Sequence, residues 1–274
     1  LIKPKDSEVI YDSREIFSAL GTLSKNSLKQ KVWSFLEKIN IRKVKDIVVS
    51  GELDAKYLSD YFQTQHNYHI IKNLPNIQPI VKTNYLRDLY NIPSDKFVLI
   101  YQGVILEGRG LLPTLKFLKT TDKFVIVLVG EGTYKSEITR IIKEEKLENK
   151  VYLHNQVPYN QLLSITASAD IGLSLIEPIS FSYTLAFPNK LFEYLLAGLP
   201  VLVSDLPAMT DFVNSTKIGE IVPIEMKPSQ IEEKLASIIN NLDYYKSNIQ
   251  QNQPNYTYNS QSKNIISLLQ SLYK

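Results

Sequence analysis

The sequence predicts an α/β chain: a doubly wound parallel sheet in its larger part, preceded by a shorter, partial sheet of the same kind. Three features carry that expectation. Apolar runs rich in Val, Ile and Leu recur along the chain without polar interruption, as strands covered on both faces require. Segments with apolar residues at helical spacing lie between them. Gly103 and Gly130 stand directly after two of the runs, where a chain leaving a strand must turn toward a helix.

Taken in order, runs at 9–11, 46–49 and 69–71 read as strands of the first part, with helices between them. Three strands fall short of the roughly six of a complete nucleotide-binding half. The segment 23–46 reads as a helix with an aromatic and apolar side (Trp33, Phe35, Leu36, Ile39) and a basic side (Lys25, Lys29, Lys31, Lys38, Arg42, Lys43, Lys45). Its apolar face is expected to pack on its own sheet, as in most surface helices. A peripheral membrane contact through 23–46 is the alternative. Polar, proline-bearing sequence breaks regular structure from residue 73, so a first domain of 1–93 ends in a linker over 73–93.

The second domain, 94–250, carries strands over 98–101, 124–129, 151–153, 171–176, 200–204 and 220–222. Helices are expected over 112–119, 134–146, 159–167, 189–197 and 207–214. Apolar residues at 265, 266, 268, 269 and 272 have helical spacing and place a last helix in 251–274.

Composition narrows the function. A chain of 274 residues can hold two cores. It has no cysteine, which removes disulfide frameworks and thiolate zinc sites. His66, His69 and His154 are scattered, and no metal is expected. The formal charge of +3 is too small to indicate nucleic acid. No apolar run reaches the ~20 residues of a membrane span or has the flanks of a signal peptide, so a cytoplasmic location is expected. The first residue is Leu rather than Met, and the chain is expected to be part of a longer one.

The most informative stretch is Phe187-Pro188-Asn189-Lys190-Leu191-Phe192-Glu193-Tyr194, running through Ala197-Gly198-Leu199-Pro200-Val201. It reads as a helix opening at Pro188, closing at Gly198 and feeding an apolar strand. Backbone N–H groups at such a start, with Lys190 beside them, favour a phosphate. One turn on, the Glu193 carboxylate can accept from paired hydroxyls such as those of a ribose. Phosphate and ribose together point to a nucleotide.

This segment resembles the donor-site helix of GT-B glycosyltransferases, the retaining group called family 4, in its P-N-K-L-F-E-Y variant. The resemblance implies two Rossmann-like domains and transfer of a sugar, with retention, from a nucleoside diphosphate sugar to a glycan or lipid-linked acceptor. It also implies a role in surface polysaccharide biosynthesis, with no cofactor beyond the donor itself. The 251–274 helix is similar to the one that crosses back to the first domain in this fold. Tyr11-Asp12-Ser13-Arg14-Glu15 looks like the Y-D-S-H-E segment found late in the family's N-terminal domain, which implies that the opening strands are missing. Arg14 stands where relatives have His; a guanidinium cannot serve as base, so its role would be orienting.

Carried onto this sequence, the resemblance places Gly103 and Arg109 at the diphosphate, with Arg109 at the family's Lys position and Val104 where a further Arg is usual. Val129-Gly130-Glu131-Gly132 matches V-G-x-G, placing Gly132 at the donor pocket. His154-Asn155-Gln156-Val157-Pro158 resembles the loop that holds the base, with Val157 as its final residue; Asn155 and Gln156 serve equally as turn residues. Asn189, Lys190 and Leu191 line the phosphates and Glu193 takes the ribose. The family's usual second glutamate, eight residues earlier, is Leu185 here, so Glu177 or Tyr183 is assigned to the transferred sugar. Two other readings remain: nucleotide-sugar binding without transfer, and a GT-B sugar-nucleotide epimerase.

Overall fold

In the computed structural model, which describes residues 7–13, 27–76, 80, 82–185 and 187–272, the apolar runs become strands of two parallel sheets. The chain divides into two units, Leu1–Leu74 with Ile179–Ala186 and Thr257–Lys274, and Pro75–Pro178 with Phe187–Tyr256.

The first unit runs β1 (Ile10–Ser13), α1 (Leu28–Ile41), β2 (Asp46–Val49), α2 (Glu52–Phe62) and β3 (Asn67–Ile70). Its sheet has the order β1-β2-β3, and both pairings are parallel. The central strand is buried throughout, and Ile47 and Val49 meet Ile41, Leu58 and Phe62 in a small core. Asp46 on that strand accepts from Asn67 at 3.0 Å and pairs with His69 at 2.8 Å, joining β2 to β3 through side chains as well as backbone.

Helix α1 corrects one expectation. Its half-buried residues are Gln30, Ser34, Glu37 and Asn40, with Ile41 buried, while Leu28 is 79% and Phe35 64% exposed and Val32, Leu36 and Ile39 are exposed as well. The apolar stripe therefore faces away from the helix's own sheet. The rotation is fixed by a hydrogen bond of 2.6 Å from the Tyr11 hydroxyl on β1 to Glu37 Oε1, which holds the polar side inward. Burial pushes the Glu37 carboxyl up from its usual range, and the Tyr11 bond opposes that shift.

The second unit begins with α3 (Tyr85–Tyr90), a helix inside the stretch expected as linker. It is held by Arg87, whose guanidinium donates to Pro93 O at 3.0 Å, Lys96 O at 2.9 Å and Asp170 Oδ2 at 2.7 Å. Asp170 also accepts from Val98 N–H at 2.8 Å, tying the helix to the first strand of the sheet. There follow β4 (Phe97–Gln102), α4 (Leu111–Leu118), β5 (Phe124–Val129), α5 (Lys135–Glu144), β6 (Val151–His154), α6 (Tyr159–Thr166) and β7 (Ile171–Ser174). After α7 (Phe181–Thr184), which belongs to the first unit, come α8 (Lys190–Leu196), β8 (Val201–Ser204), α9 (Pro207–Thr216), β9 (Gly219–Val222), α10 (Pro228–Asn240) and α11 (Leu242–Asn252). The last helix, α12 (Ser262–Leu272), lies in the first unit, where Gln261 just before it donates to Lys72 O at 2.8 Å.

The six strands of this sheet are parallel in the order β6-β5-β4-β7-β8-β9. Helices cover it because its strands are apolar on both faces; Ile231, Leu235 and Ile238 of α10, for example, are fully buried. Strand order reverses between β4 and β7, and open α/β sheets bind ligands at the carboxyl ends of such a switch point. The two strands pair only at Leu99↔Ile171 and Ile100↔Gly172. β7 ends at Ser174, short of the expected 176, because the Ile176 N–H leaves the ladder for the Ser204 hydroxyl at 2.9 Å.

Candidate functional site

The floor of the site is main chain. A Cβ at Gly130, where φ is +145°, would stand 2.0 Å from Gly103 O, and one at Gly132 would stand 2.1 Å from Ile105 O. Only glycine permits the loops after β4 and β5 to lie this close. Ile105 N–H donates to Glu131 O at 2.8 Å and Tyr134 N–H to Ile105 O at 3.1 Å, so the two loops are stitched together.

Helix α8 rises beside this floor. Pro188 stands two residues before it, outside the first turn where the sequence reading put it. The N–H groups of Leu191, Phe192 and Glu193 donate to Pro188 O (3.1 Å) and Asn189 O (3.0 and 3.3 Å), so these three are engaged by the chain itself. Asn189 is exposed at the N-cap and makes no side-chain cap bond. Leu191 is buried, its side chain in the core. At the other end Gly198 has φ +79°, with Leu199 N–H on Tyr194 O at 2.9 Å and Gly198 N–H on Leu195 O at 3.1 Å, a Schellman closure.

Three charged side chains predicted from the sequence come together here. Lys190 is 9% exposed, and its Nζ lies 3.7 Å from the centroid of the Tyr101 ring, a cation–π contact. The ring is braced by its hydroxyl, which donates to Val104 O at 2.7 Å. The same Nζ is 3.8 Å from where a Cβ on Gly103 would stand, which puts the amine at the carboxyl end of β4. Burial, followed by the charge of Arg109, lowers the lysine to about 7, and Glu193 opposes that shift. Glu193 is raised from its usual range by burial, against the hydrogen bond from Gln102 and the charge of Lys190. Two cations in range of each other, with a carboxylate in range of Lys190, make a site suited to an anion.

Other predicted residues are placed as follows. Glu177 Oε1 accepts from Gly110 N–H at 3.2 Å and its own N–H donates to Gly108 O at 2.9 Å, so it holds the loop that carries Arg109. Val157 lies half-buried in the loop between β6 and α6, just before Tyr159, whose hydroxyl feels the charge of Glu193. Tyr183 lies on α7, in the first unit. Arg14 lies outside the described residues.

The sequence reading missed Gln102, Thr166 and Tyr194. Gln102 is buried, donates through Nε2 to Glu193 Oε2 and accepts from the Thr166 hydroxyl at 2.5 Å. The Tyr194 hydroxyl bonds the carbonyls of Ile100 and Leu173 at 3.2 and 3.1 Å and accepts from Gln102 N–H at 3.3 Å, filling the gap where β4 and β7 part. One signal was available: an amide closing an apolar strand must find partners, since buried polar groups are paired.

Residues 84–255 match the family model described as glycosyl transferases group 1. A glycosyltransferase of Methanocaldococcus jannaschii is 26% identical over 171 residues, covering 58% of this chain and 39% of the relative. The O-antigen biosynthesis glycosyltransferase WclY of Escherichia coli is 22% identical over 179 residues, covering 64% of this chain and 45% of the relative. The chain thus spans less than half the length of these two relatives. Among solved structures, Anabaena HepE in complex with UDP and glucose superposes with a TM-score of 0.79 at 15% identity, covering 97% of this chain and 72% of that one. That likeness establishes the fold, the α/β class of parallel, Rossmann-like sheets seen in GT-B glycosyltransferases. With the matched segment spanning more than half of its length, the chain belongs to the family of glycosyl transferases group 1.

Proposed function

We propose that this chain carries the donor side of a retaining glycosyltransferase of the family 4 type, which moves a sugar from a nucleoside diphosphate sugar to a glycan or lipid-linked acceptor in surface polysaccharide assembly. The observation that supports it most is the convergence of Lys190, Arg109 and Glu193 beside Gly103 at the switch point. In this reading the cations meet the diphosphate and Glu193 accepts from the ribose hydroxyls. The acceptor hydroxyl attacks the anomeric carbon from the face that the diphosphate leaves. The bond from that carbon to the phosphate oxygen breaks, and a diphosphate oxygen takes the hydroxyl proton. Protein groups then need only stabilise the charge growing on the leaving group, where preorganised donors contribute most. Similar proteins carrying UDP, and an O-antigen enzyme among the relatives, support the donor and the pathway class.

The exposed apolar stripe of α1, flanked by Lys29, Lys31, Lys38 and Arg42, supports peripheral contact with an anionic membrane, where a lipid-linked acceptor would lie. No helix among the described residues is long and apolar enough to cross one.

The test is release of nucleoside diphosphate from a panel of nucleotide sugars, with and without acceptor, by this chain and by a longer one matching the length of its relatives. Acceptor-dependent release by the longer chain, with the anomeric configuration kept by NMR, is expected. Isomerisation of the sugar would replace the reading with an epimerase, and binding without release by either chain would replace it with a nucleotide-sugar-binding module.

A further inference from the structure

Gln102 closes an otherwise apolar strand with its side chain 1% exposed. A buried amide has to be satisfied at both its oxygen and its nitrogen. Its oxygen accepts from the Thr166 hydroxyl at 2.5 Å, and its nitrogen donates to Glu193 Oε2. The hydroxyl has one proton and a second acceptor in reach, Leu162 O at 2.7 Å. That carbonyl lies inside α6, where the backbone N–H four residues on serves it. The Thr166 proton is therefore better used on the buried Gln102 oxygen. With the oxygen so fixed, only the N–H side of the amide can face Glu193; a flipped amide would set oxygen against carboxylate oxygen.

This contact is not what holds α8 to the sheet. Tyr194 already does so, through Ile100 O, Leu173 O and Gln102 N–H, together with the buried Leu191, Phe192 and Leu195. What the amide adds is direction. Glu193 has a competing partner in Lys190, whose charge it feels, and a carboxylate drawn onto that ammonium would occupy the cation intended for phosphate.

We infer that Gln102, its amide fixed by Thr166, is a positioning residue that holds the Glu193 carboxylate toward the ribose hydroxyls and away from Lys190, so that ribose recognition is set from behind the carboxylate. The inference rests on the reading of Glu193 as the ribose ligand.

The test uses the whole chain and whichever of UDP, ADP and GDP it binds, each compared by calorimetry with its 2′,3′-dideoxy form, in wild type, Gln102→Leu, Thr166→Val and Thr166→Ser. Wild type should prefer the ribose form by about tenfold or more, the worth of a hydrogen bond to a charged group. Gln102→Leu and Thr166→Val should lose that preference while binding the dideoxy form as wild type does. Thr166→Ser keeps the hydroxyl and should keep the preference. Folded Gln102→Leu and Thr166→Val proteins with a wild-type preference overturn the inference and leave the ribose reading standing. Absence of preference in wild type itself overturns both, and shows that the reading of Glu193 is what failed. Should Gln102→Leu not fold, Thr166→Val decides through the carboxyl carbon-13 titration of Glu193: a further upward shift supports the positioning role, and an unmoved titration overturns it.

Discussion

Tyr194 lies with its ring against Gly172, so close that a Cβ at 172 would stand 2.4 Å from the ring's Cγ. The ring thereby delivers its hydroxyl to the carbonyls of two strands that have stopped pairing. Tyr194→Phe keeps the packing and strands those polar groups in the interior; the expected loss is about 1–3 kcal/mol of stability. Gly172→Ala drives a methyl into the ring and should cost about as much by overpacking. Urea denaturation of the two variants checks both, and wild-type midpoints would show that the parting strands need no such wedge.

Lys190 gives a pH signature. Its folded value of about 7 lies below the ordinary 10.5, so its contribution to stability is fully present above the unfolded value and is lost as pH falls through about 7. Lys190→Met should therefore melt higher than wild type at pH 6, with the gap closing toward pH 10. Thermal denaturation across that range measures it, and a gap that does not change with pH would place the amine in solvent.

A diphosphate bound as proposed would reverse that shift by bringing negative charge to the amine. Nucleoside diphosphate binding near pH 8 should take up a proton in wild type and not in Lys190→Met. Calorimetry in buffers of different ionisation enthalpy counts it; equal uptake in both proteins would assign the proton to another group.

Arg109→Ala and Lys190→Ala, in whichever chain shows transfer, should lower turnover by more than they weaken nucleotide binding. The loss expected for one donor on a developing negative charge is about 3–4 kcal/mol at the barrier. Steady-state rates set beside nucleotide affinities separate the two effects, and unchanged rates in both variants would remove these cations from the reaction.

The outward stripe of α1 is tested with vesicles. Phe35→Glu with Leu36→Glu should reduce binding to vesicles containing phosphatidylglycerol and leave the already weak binding to neutral ones unchanged. Equal binding by the variant would mean that something other than lipid meets this face.

Much of this was legible in the sequence, and the exceptions share a cause. The run 124–129 emerges as β5 with the same bounds, because a short unbroken apolar stretch rich in Val and Ile suits a strand covered on both faces. Lys190 and Glu193 can be read together from the sequence because their motif is local, one turn of one helix. Gln102 was passed over because its partners Thr166 and Glu193 lie 64 and 91 residues away. Periodicity tells which residues of α1 share a face, but the side turned to the sheet was decided by the bond between Tyr11 and Glu37, 26 residues apart. Pro188 drew the helix start too early, because the chain makes a turn at 188–189 before α8 begins.

The close approach of the loops after β4 and β5 also limits how this fold can be retuned. Any side chain introduced at Gly130 or Gly132 meets a carbonyl within about the length of a covalent bond or two, so that surface is frozen in both shape and chemistry. Diversity has to come from side chains outside that surface, such as Val157 and Tyr159 after β6. A library aimed at a different sugar nucleotide is best drawn at those positions, with the glycines left as they are.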